Sequence, residues 1–221
     1  MWDAPVRVFH LCLMLSFFGA WITAEEDGWR LVHVTLGVTV LALVALRIVW
    51  GVLGTRHARF SDFVRGPRAV GAYLRGLWTG QAVASAGHNP AGGLAIVAML
   101  LLGLLVPLTG LATLGQWVGE GSEEVHEALA ELMLLLVGLH VVGVVLASWL
   151  HRDKLIAAMV TGYKRGDPAQ AIGRTWWPLG LLLALAVIGF WVLQGLSADQ
   201  GGWIQPQQVL AAARQDAEDE D

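Results

Sequence analysis

The sequence predicts an all-α integral membrane protein, a four-helix transmembrane bundle with a fifth transmembrane helix. Three observations predict this class. Apolar residues make up 56% of the 221 residues, and charged residues only 14%, against about 25% in soluble domains. The mean hydropathy is +0.59. Five apolar stretches approach the roughly 20 residues that a helix needs to cross the hydrocarbon core of a bilayer.

The five predicted spans are 6–23, 31–53, 94–114, 125–150 and 177–196. The first is longer than the apolar core of a signal peptide, and no small-residue cleavage motif follows it, so we expect it to be retained. Asn89-Pro90 is a predicted helix start before the third span. The single cysteine, Cys12, excludes an internal disulfide and a cysteine-rich metal site. The low charge content, with a net charge of −4, excludes a nucleic-acid-binding protein and an ordinary soluble enzyme.

Lysine and arginine are concentrated in two of the four connections between spans. They are Arg56, Arg59, Arg65, Arg68 and Arg75 in the second connection, and Arg152, Lys154, Lys164, Arg165 and Arg174 in the fourth. Connections rich in these residues stay in the cytoplasm. The first and third connections are acidic instead, through Glu25, Glu26, Asp27, Glu120, Glu123 and Glu124. The N-terminus is therefore expected inside and, after five crossings, the C-terminus outside.

Two segments lie outside this scheme of spans. Residues 67–79 place Val70, Tyr73 and Leu74 on one helical stripe, which predicts an amphipathic helix at the cytoplasmic interface. Residues 199–221 end in a run of acidic residues and form a predicted external tail. The predicted organisation is a four-helix core over residues 1–165, a fifth transmembrane helix over 166–198, and the acidic tail over 199–221.

Four histidines lie within or at the edges of the spans, where an ionisable side chain is costly and is a functional candidate by default. His126 and His140 are 14 residues apart on the fourth span, a rise of about 21 Å and a rotation about 40° short of four full turns. Their rings should therefore face one side of the helix near opposite membrane surfaces. Counting from the helix ends places His33 with His126 (the outer pair) and His10 with His140 (the inner pair).

Two histidines that face each other across a helix bundle can ligate one haem iron from both sides. Because one cysteine cannot form a C-x-x-C-H attachment site, the two pairs predict two non-covalent b-type haems that carry electrons across the bilayer. Arg47, 14 residues after His33, and Arg7, close to His10, are candidate partners of the inner haem propionates. An interfacial, snorkelling position is the alternative for Arg47. His88, before the third span, is a candidate for contact with a propionate or a quinone headgroup.

The histidines within the spans also admit roles that involve no haem. A single intramembrane histidine often only hydrogen-bonds to a neighbouring helix. Histidine-dependent ion or metal transporters normally add carboxylates or a second histidine one turn away, whereas here only Glu131 approaches a span interior. Three glycines near the ligands, Gly37, Gly138 and Gly143, are candidates for letting a flat macrocycle approach the helices. The remaining histidines are expected at the cytoplasmic surface: His57, His88 and His151.

Several segments resemble one known family. Residues 2–10, W-D-A-P-V-R-V-F-H, resemble the opening W-D-x-P-V-R-x-x-H of the prokaryotic cytochrome b561 and Ni,Fe-hydrogenase b-type cytochrome family. Further similar segments follow in the family's order: His33 with Gly37, residues 47–51 (R-I-V-W-G), residues 88–93 (H-N-P-A-G-G), His126-Glu127 with residues 139–143 (L-H-V-V-G), and residues 159–164 (M-V-T-G-Y-K). The resemblance covers residues 2–165.

The resemblance implies a four-helix core in the bacterial inner membrane, surrounded by lipid. It would hold two haems b and pass electrons between quinone and an external partner, such as a periplasmic cytochrome c. The four histidines at positions 10, 33, 126 and 140 match the family's ligand positions. Three alternatives remain: a haem-bearing anchor subunit of a periplasmic hydrogenase or dehydrogenase, a quinone oxidoreductase in its own right, and, outside this family, a histidine-dependent ion or metal transporter. The fifth span and the tail lie outside the family's core, and Leu11 stands where the family often has tryptophan.

Overall fold

The computed structural model describes residues 2–25, 27–79, 89–117, 119, 121–150, 154–163 and 172–197. Within these ranges the chain is helical and contains no strand. The helices are α1 (Ala4–Ile22), α2 (Arg30–Leu53), α3 (Phe60–Phe63), α4 (Pro67–Trp78), α5 (Pro90–Leu114), α6 (Ser122–Leu150), α7 (Leu155–Thr161) and α8 (Trp177–Leu196). Five of them, α1, α2, α5, α6 and α8, are long and apolar enough to cross a membrane. The predicted fold class is confirmed.

The helix starts follow from local sequence. Asp3 caps α1, because its Oδ1 accepts the Val6 N–H at 2.9 Å. Asn89 caps α5 in the same way through the Gly92 N–H at 2.7 Å, as predicted. A proline follows each cap within the first turn, where its missing N–H costs no helical hydrogen bond. Both caps satisfy donors that the helix itself leaves unpaired.

The five long helices pack against one another in the order α8, α1, α2, α5, α6. The most buried apolar cluster lies among α1, α2, α5 and α8, and consists of Phe9, Cys12, Val40, Leu43, Val44, Leu100 and Val187. Helix α6 packs chiefly on α5 and α7, and Met133 is its one buried residue. The inward face of α6, which carries two of the candidate histidines, is therefore free of tight contact with α1 and α2.

The fifth span, α8, packs against the back of the core rather than into it. Its Trp191 Nε1 donates to Thr39 Oγ1 of α2 at 3.0 Å. A Cβ at Gly180 would lie 3.0 Å from the Ala4 Cβ of α1, so this glycine allows close approach of the two helices. Helix α8 therefore packs chiefly on α1, with few contacts to α2.

The amphipathic helix predicted over residues 67–79 is present as α4. It packs on α5, with Val70 buried and Leu74 exposed. Tyr73 is half-buried, and this burial raises the pKa of its phenol. The helix therefore lies along the end of the bundle at which α1 begins and α2 ends.

Candidate functional site

The outer pair of histidines is brought together by α2 and α6. The His33 and His126 ring centres are 6.3 Å apart, with an angle of 82° between the ring planes. His33 lies one turn after the start of α2, and His126 one turn after the start of α6. Because the two helices run in opposite senses relative to α1 and α5, two helix starts meet at this end of the bundle.

Backbone carbonyls orient both rings of the outer pair. His33 Nδ1 donates to the Ala20 carbonyl of α1 at 2.8 Å. His126 Nδ1 donates to the Val106 carbonyl of α5 at 2.9 Å, and Thr109 Oγ1 lies 3.3 Å from the same nitrogen. A carbonyl can only accept, so Nδ1 carries the proton in each ring and Nε2 keeps its lone pair. Metal-ligating histidines usually have this arrangement.

The separation of the two rings fits one metal ion between them. A bond from imidazole nitrogen to a metal is about 2.0–2.1 Å, so two such bonds in line separate the ring centres by about 6 Å. Among the described residues, no group of three or more His, Cys, Asp or Glu side chains could hold a metal ion. A metal that brings its own equatorial nitrogens, as haem iron does, therefore fits this pair better than a bare ion.

The predicted inner pair consists of His10 on α1 and His140 on α6. His10 and His140 are both half-buried and lie within range of a direct electrostatic interaction. His140 is 14 residues after His126 on the same continuous helix, which separates the two pairs by about 21 Å along the helix axis. The outer pair is therefore in ring contact, and His10 and His140 lie at a second level of the bundle, as the spacing predicts.

Arg47 has the features expected of a side chain that binds an anion. It is only 6% exposed, and its Nη2 donates to the Ala58 carbonyl at 2.9 Å. The guanidinium also lies over the Phe60 ring, 5.5 Å from its centre. Its Nη1 is buried without a hydrogen-bond partner. A buried cationic donor without a partner is costly, and a propionate would satisfy it. The snorkelling alternative does not apply to a side chain this buried.

Arg7 is engaged elsewhere. Its Nε donates to the Met159 carbonyl at 3.3 Å, and its Nη2 donates to the Val160 carbonyl. The guanidinium also lies 5.3 Å from the centre of the Trp177 ring. These contacts connect α1 to the end of α7 and the start of α8. Arg7 therefore stabilises helix packing, a role that its position beside His10 did not predict.

The other predicted residues divide into three cases. Gly37, one turn after His33, has no heavy atom within 4 Å of a Cβ position, so space for a macrocycle exists on the ligand face of α2. Gly138 and Gly143 of α6 likewise have no heavy atom within 4 Å of a Cβ position, and their place beside a macrocycle stays a prediction. His57 was expected at the surface, and that expectation is wrong, because it is buried. His88 lies outside the described residues.

Two site residues were not predicted from the sequence. A Cβ at Gly110 of α5 would lie 2.8 Å from His126 Cε1, so only glycine leaves room for this ring against α5. Asp3 is 1% exposed, and its Oδ2 accepts hydrogen bonds from Trp50 Nε1 at 3.0 Å and Thr55 Oγ1 at 2.7 Å. Asp3 lies within the motif over residues 2–10, which is the signal that could have identified it. Nothing distinguishes Gly110 among 27 glycines.

A family model described as prokaryotic cytochrome b561 matches residues 1–162. The chain belongs to this family. Among curated relatives, the probable Ni/Fe-hydrogenase 1 B-type cytochrome subunits of Escherichia coli strain K12 and Escherichia coli O157:H7 are each 22% identical over 213 residues. The match covers 74% of this chain and 89% of each relative. No solved structure matches the chain at a significant level.

Membership establishes the general role of the molecule. A prokaryotic cytochrome b561 is a membrane protein that binds b-type haem and transfers electrons. The five apolar helices agree with a multi-pass protein of a bacterial membrane. The histidine pairs, the Gly37 space and the unpaired Arg47 nitrogen are the features of this cytochrome that fit such a haem.

Proposed function

We propose that this cytochrome carries electrons across the inner membrane through two b-type haems, between membrane quinone and a redox partner on the periplasmic side. The outer haem would be held by His33 and His126, and the inner haem by His10 and His140. The observation that carries the proposal is the outer pair, whose rings come from different helices, lie 6.3 Å apart and each present a lone-pair Nε2. His10 on α1 and His140 on α6, both half-buried, would supply the second site.

A b-type haem supplies a one-electron couple when it is bound. The residues of the chain set the conditions under which it operates. The Ala20 and Val106 carbonyls hold the two outer rings in orientation. Neutral imidazoles add no charge to an apolar bundle, where an unpaired charge is costly. Arg47 Nη1, which is buried without a hydrogen-bond partner, would donate to a propionate of the inner haem and offset its negative charge.

The proposed orientation follows from the distribution of charge. The described arginines at the end where α2 terminates include Arg56, Arg59 and Arg65, all exposed, which favours the cytoplasm for this end. The opposite end carries the exposed acids Glu123 and Glu124, which would attract a basic partner such as a cytochrome c. The N-terminus would then be cytoplasmic and the C-terminus periplasmic. The core would comprise residues 1–165, followed by the fifth helix over 166–198 and the tail over 199–221.

Quinone would bind at one end of the core. The cytoplasmic candidates are His88, Arg56 and the amphipathic helix α4. The periplasmic candidates surround Trp29 and Trp117, which are both exposed at the other end of the bundle. Electron transfer in either direction is compatible with either location, and oxidation of quinol would make the protein a quinone oxidoreductase.

The test of the proposed function is a haem count with a redox titration. We expect the purified full-length protein to contain two haems b per chain, both low-spin, with two midpoint potentials and an asymmetric or split α-band after dithionite reduction. A single haem per chain, or a high-spin ferric spectrum, would contradict the two bis-histidine sites. A purified protein that binds no haem would contradict the proposal altogether.

Replacing Arg47 by glutamine is expected to lower the midpoint potential of the inner haem. A nearby positive charge disfavours the ferric state of the haem. Its removal reduces the free-energy preference for the ferrous state by about 1–2 kcal/mol at an effective dielectric constant near 20, which lowers the one-electron midpoint potential by about 40–90 mV. In Arg47→Lys, which keeps the charge, the midpoint potential of the inner haem should stay close to the wild-type value. The measurement is a potentiometric titration followed at the α-band, with Arg68→Gln as the control for an exposed arginine. Equal potentials in all four proteins would exclude the propionate contact.

A second candidate function is that of a haem-bearing membrane anchor for a periplasmic hydrogenase or dehydrogenase. The two Escherichia coli relatives favour it, because they are described as probable hydrogenase subunits. The haems would then relay electrons between the enzyme and quinone. Purification in a mild detergent distinguishes the two roles: a large redox subunit at a fixed ratio to the cytochrome supports the anchor, and a cytochrome isolated by itself that reduces a soluble cytochrome c supports the first proposal.

A further inference from the structure

The segment before His10 is bonded to three other parts of the fold. Asp3 caps α1 with Oδ1 and binds Trp50 and Thr55, at the end of α2, with Oδ2. Ala4 N donates to the Thr175 carbonyl just before α8 at 2.8 Å. Trp2 N donates to the Gly162 carbonyl after α7 at 3.3 Å. We call residues 2–7 the N-terminal clamp.

Arg7 completes the clamp at the end of α7. Gly162, the residue that follows this helix, has a positive φ of 84°, the left-handed conformation that favours glycine. The guanidinium of Arg7 donates to the Met159 and Val160 carbonyls in the last turn. Carbonyls at a helix C-terminus have no partner within the helix and carry partial negative charge, so a cation stabilises them. Arg7 therefore attaches α7 to α1 in the way that a capping side chain does.

We infer that Asp3 and Arg7 are positioning residues that set the height and rotation of His10, and through them the geometry of the inner haem; this rests on the proposed function. His10 lies three residues after Arg7, less than one helical turn, on the same rigid helix. A shift of the clamp along or around the α1 axis therefore moves the His10 ring by a similar amount. Side chains on loops alone would not hold a ligand this firmly.

The hydrogen bonds of Asp3 and Arg7 explain why a residue of similar size or charge cannot replace either one in the clamp. The Asp3 carboxylate is buried and accepts three hydrogen bonds, so an amide in its place would turn one end of the side chain into a donor facing two donors. Arg7 uses two nitrogens of its planar guanidinium on two consecutive carbonyls. A lysine would retain the charge but not this fork.

The first test uses Cys12, the single cysteine of the chain, as a reporter of the position of α1. It lies two residues after His10, buried in the cluster with Phe9 and Leu43. We expect Asp3→Asn and Arg7→Lys each to raise the alkylation rate of Cys12 by a small maleimide at least about tenfold, since local opening exposes buried groups. Arg68→Gln, at an exposed arginine of α4, is the matched control and should react like the wild-type protein.

The second test reads the inner haem directly. We expect Asp3→Asn and Arg7→Lys to shift the low-spin EPR g values assigned to the inner haem and to leave the outer signal unchanged. Trp50→Phe, which removes one donor to Asp3 and keeps an aromatic ring, serves where a charged-site variant does not accumulate. One result overturns the inference: Arg7→Lys changes neither the Cys12 labelling rate nor the EPR signal of the inner haem, while Arg7→Gln lowers the midpoint potential of that haem. Arg7 would then act by its charge alone. The inference is equally overturned if Cys12 labelling is unchanged in all variants.

The two readouts also separate this inference from the proposed function. Cys12 labelling is measured on the full-length protein as purified, and each variant is compared with the wild-type protein at the same haem content. Faster labelling in the clamp variants of a protein that holds only one haem would contradict the two-haem proposal and support the clamp. Two haems in the wild-type protein together with labelling that the clamp variants do not change would support the proposal and contradict the clamp.

Discussion

Replacing His126 by alanine is expected to remove the outer haem and leave the inner haem in place. Under the proposal the substitution deletes one of the two ligands of the outer haem, and His140, about 21 Å further along α6, is too far away to replace it. His33→Ala should produce the same absorption and EPR spectrum, because both variants destroy one site. His140→Ala and His10→Ala should share the complementary spectrum. The measurement is the haem-to-protein ratio, together with low-temperature α-band spectra of the four variants.

The pairing is tested by which variants resemble each other. If the His126→Ala spectrum matches that of His10→Ala instead of His33→Ala, the assignment of ligands to pairs is wrong. If any of the four variants keeps both haems, that histidine is not a ligand. His151→Ala, at a histidine outside the two pairs, is the control and should keep two haems and unaltered potentials.

Replacing Gly110 by leucine is expected to weaken the outer haem without touching a ligand. The His126 ring packs against α5 where Gly110 has no side chain, and a Cβ there would lie 2.8 Å from Cε1 and 3.1 Å from Nδ1 of the ring. The larger side chain displaces the ring and breaks its hydrogen bond to the Val106 carbonyl. Overpacking of this kind costs about 1–3 kcal/mol, which corresponds to a haem affinity weaker by roughly 5- to 150-fold.

The matched control for Gly110→Leu is Gly189→Leu. Gly189 lies inside the membrane-spanning helix α8, and a Cβ there would meet no heavy atom within 4 Å. We expect this control to bind both haems like the wild-type protein. In Gly110→Leu, the outer signal should appear last as haem is titrated into the apoprotein. An outer haem of unchanged affinity in Gly110→Leu would show that His126 does not ligate in the position it has here.

Much of the architecture follows from one-dimensional patterns. The hydrocarbon core sets the length of a spanning helix, so the apolar stretches located all five spans to within a few residues of their observed bounds, and Asn89-Pro90 marked the start of α5. The 14-residue spacing of His126 and His140 determined that both rings lie on one side of α6, because helix geometry relates spacing directly to rotation. The order of the spans then determined which histidines share a level.

The details of the site depended on contacts between residues far apart in sequence. Arg7 and Arg47 were equivalent candidates for a propionate, yet Arg7 binds the carbonyls of α7 and Arg47 keeps a buried nitrogen without a partner. His57 was expected at the surface and is buried. Each outcome depends on what the neighbouring helix places beside the side chain, which no local pattern encodes.

The sequence by itself determined the class of the protein, the number of its spans and the levels of its four histidines, since all three depend on hydrophobicity and helical periodicity along one chain. Only the tertiary structure decided that Asp3 joins α1 to α2, that Gly110 makes room for His126, and that the fifth helix covers the back of the core. The physical reason is that packing and hydrogen bonding act between surfaces. A glycine or a carboxylate acquires its role from the side chain that the fold brings to within 3 Å of it.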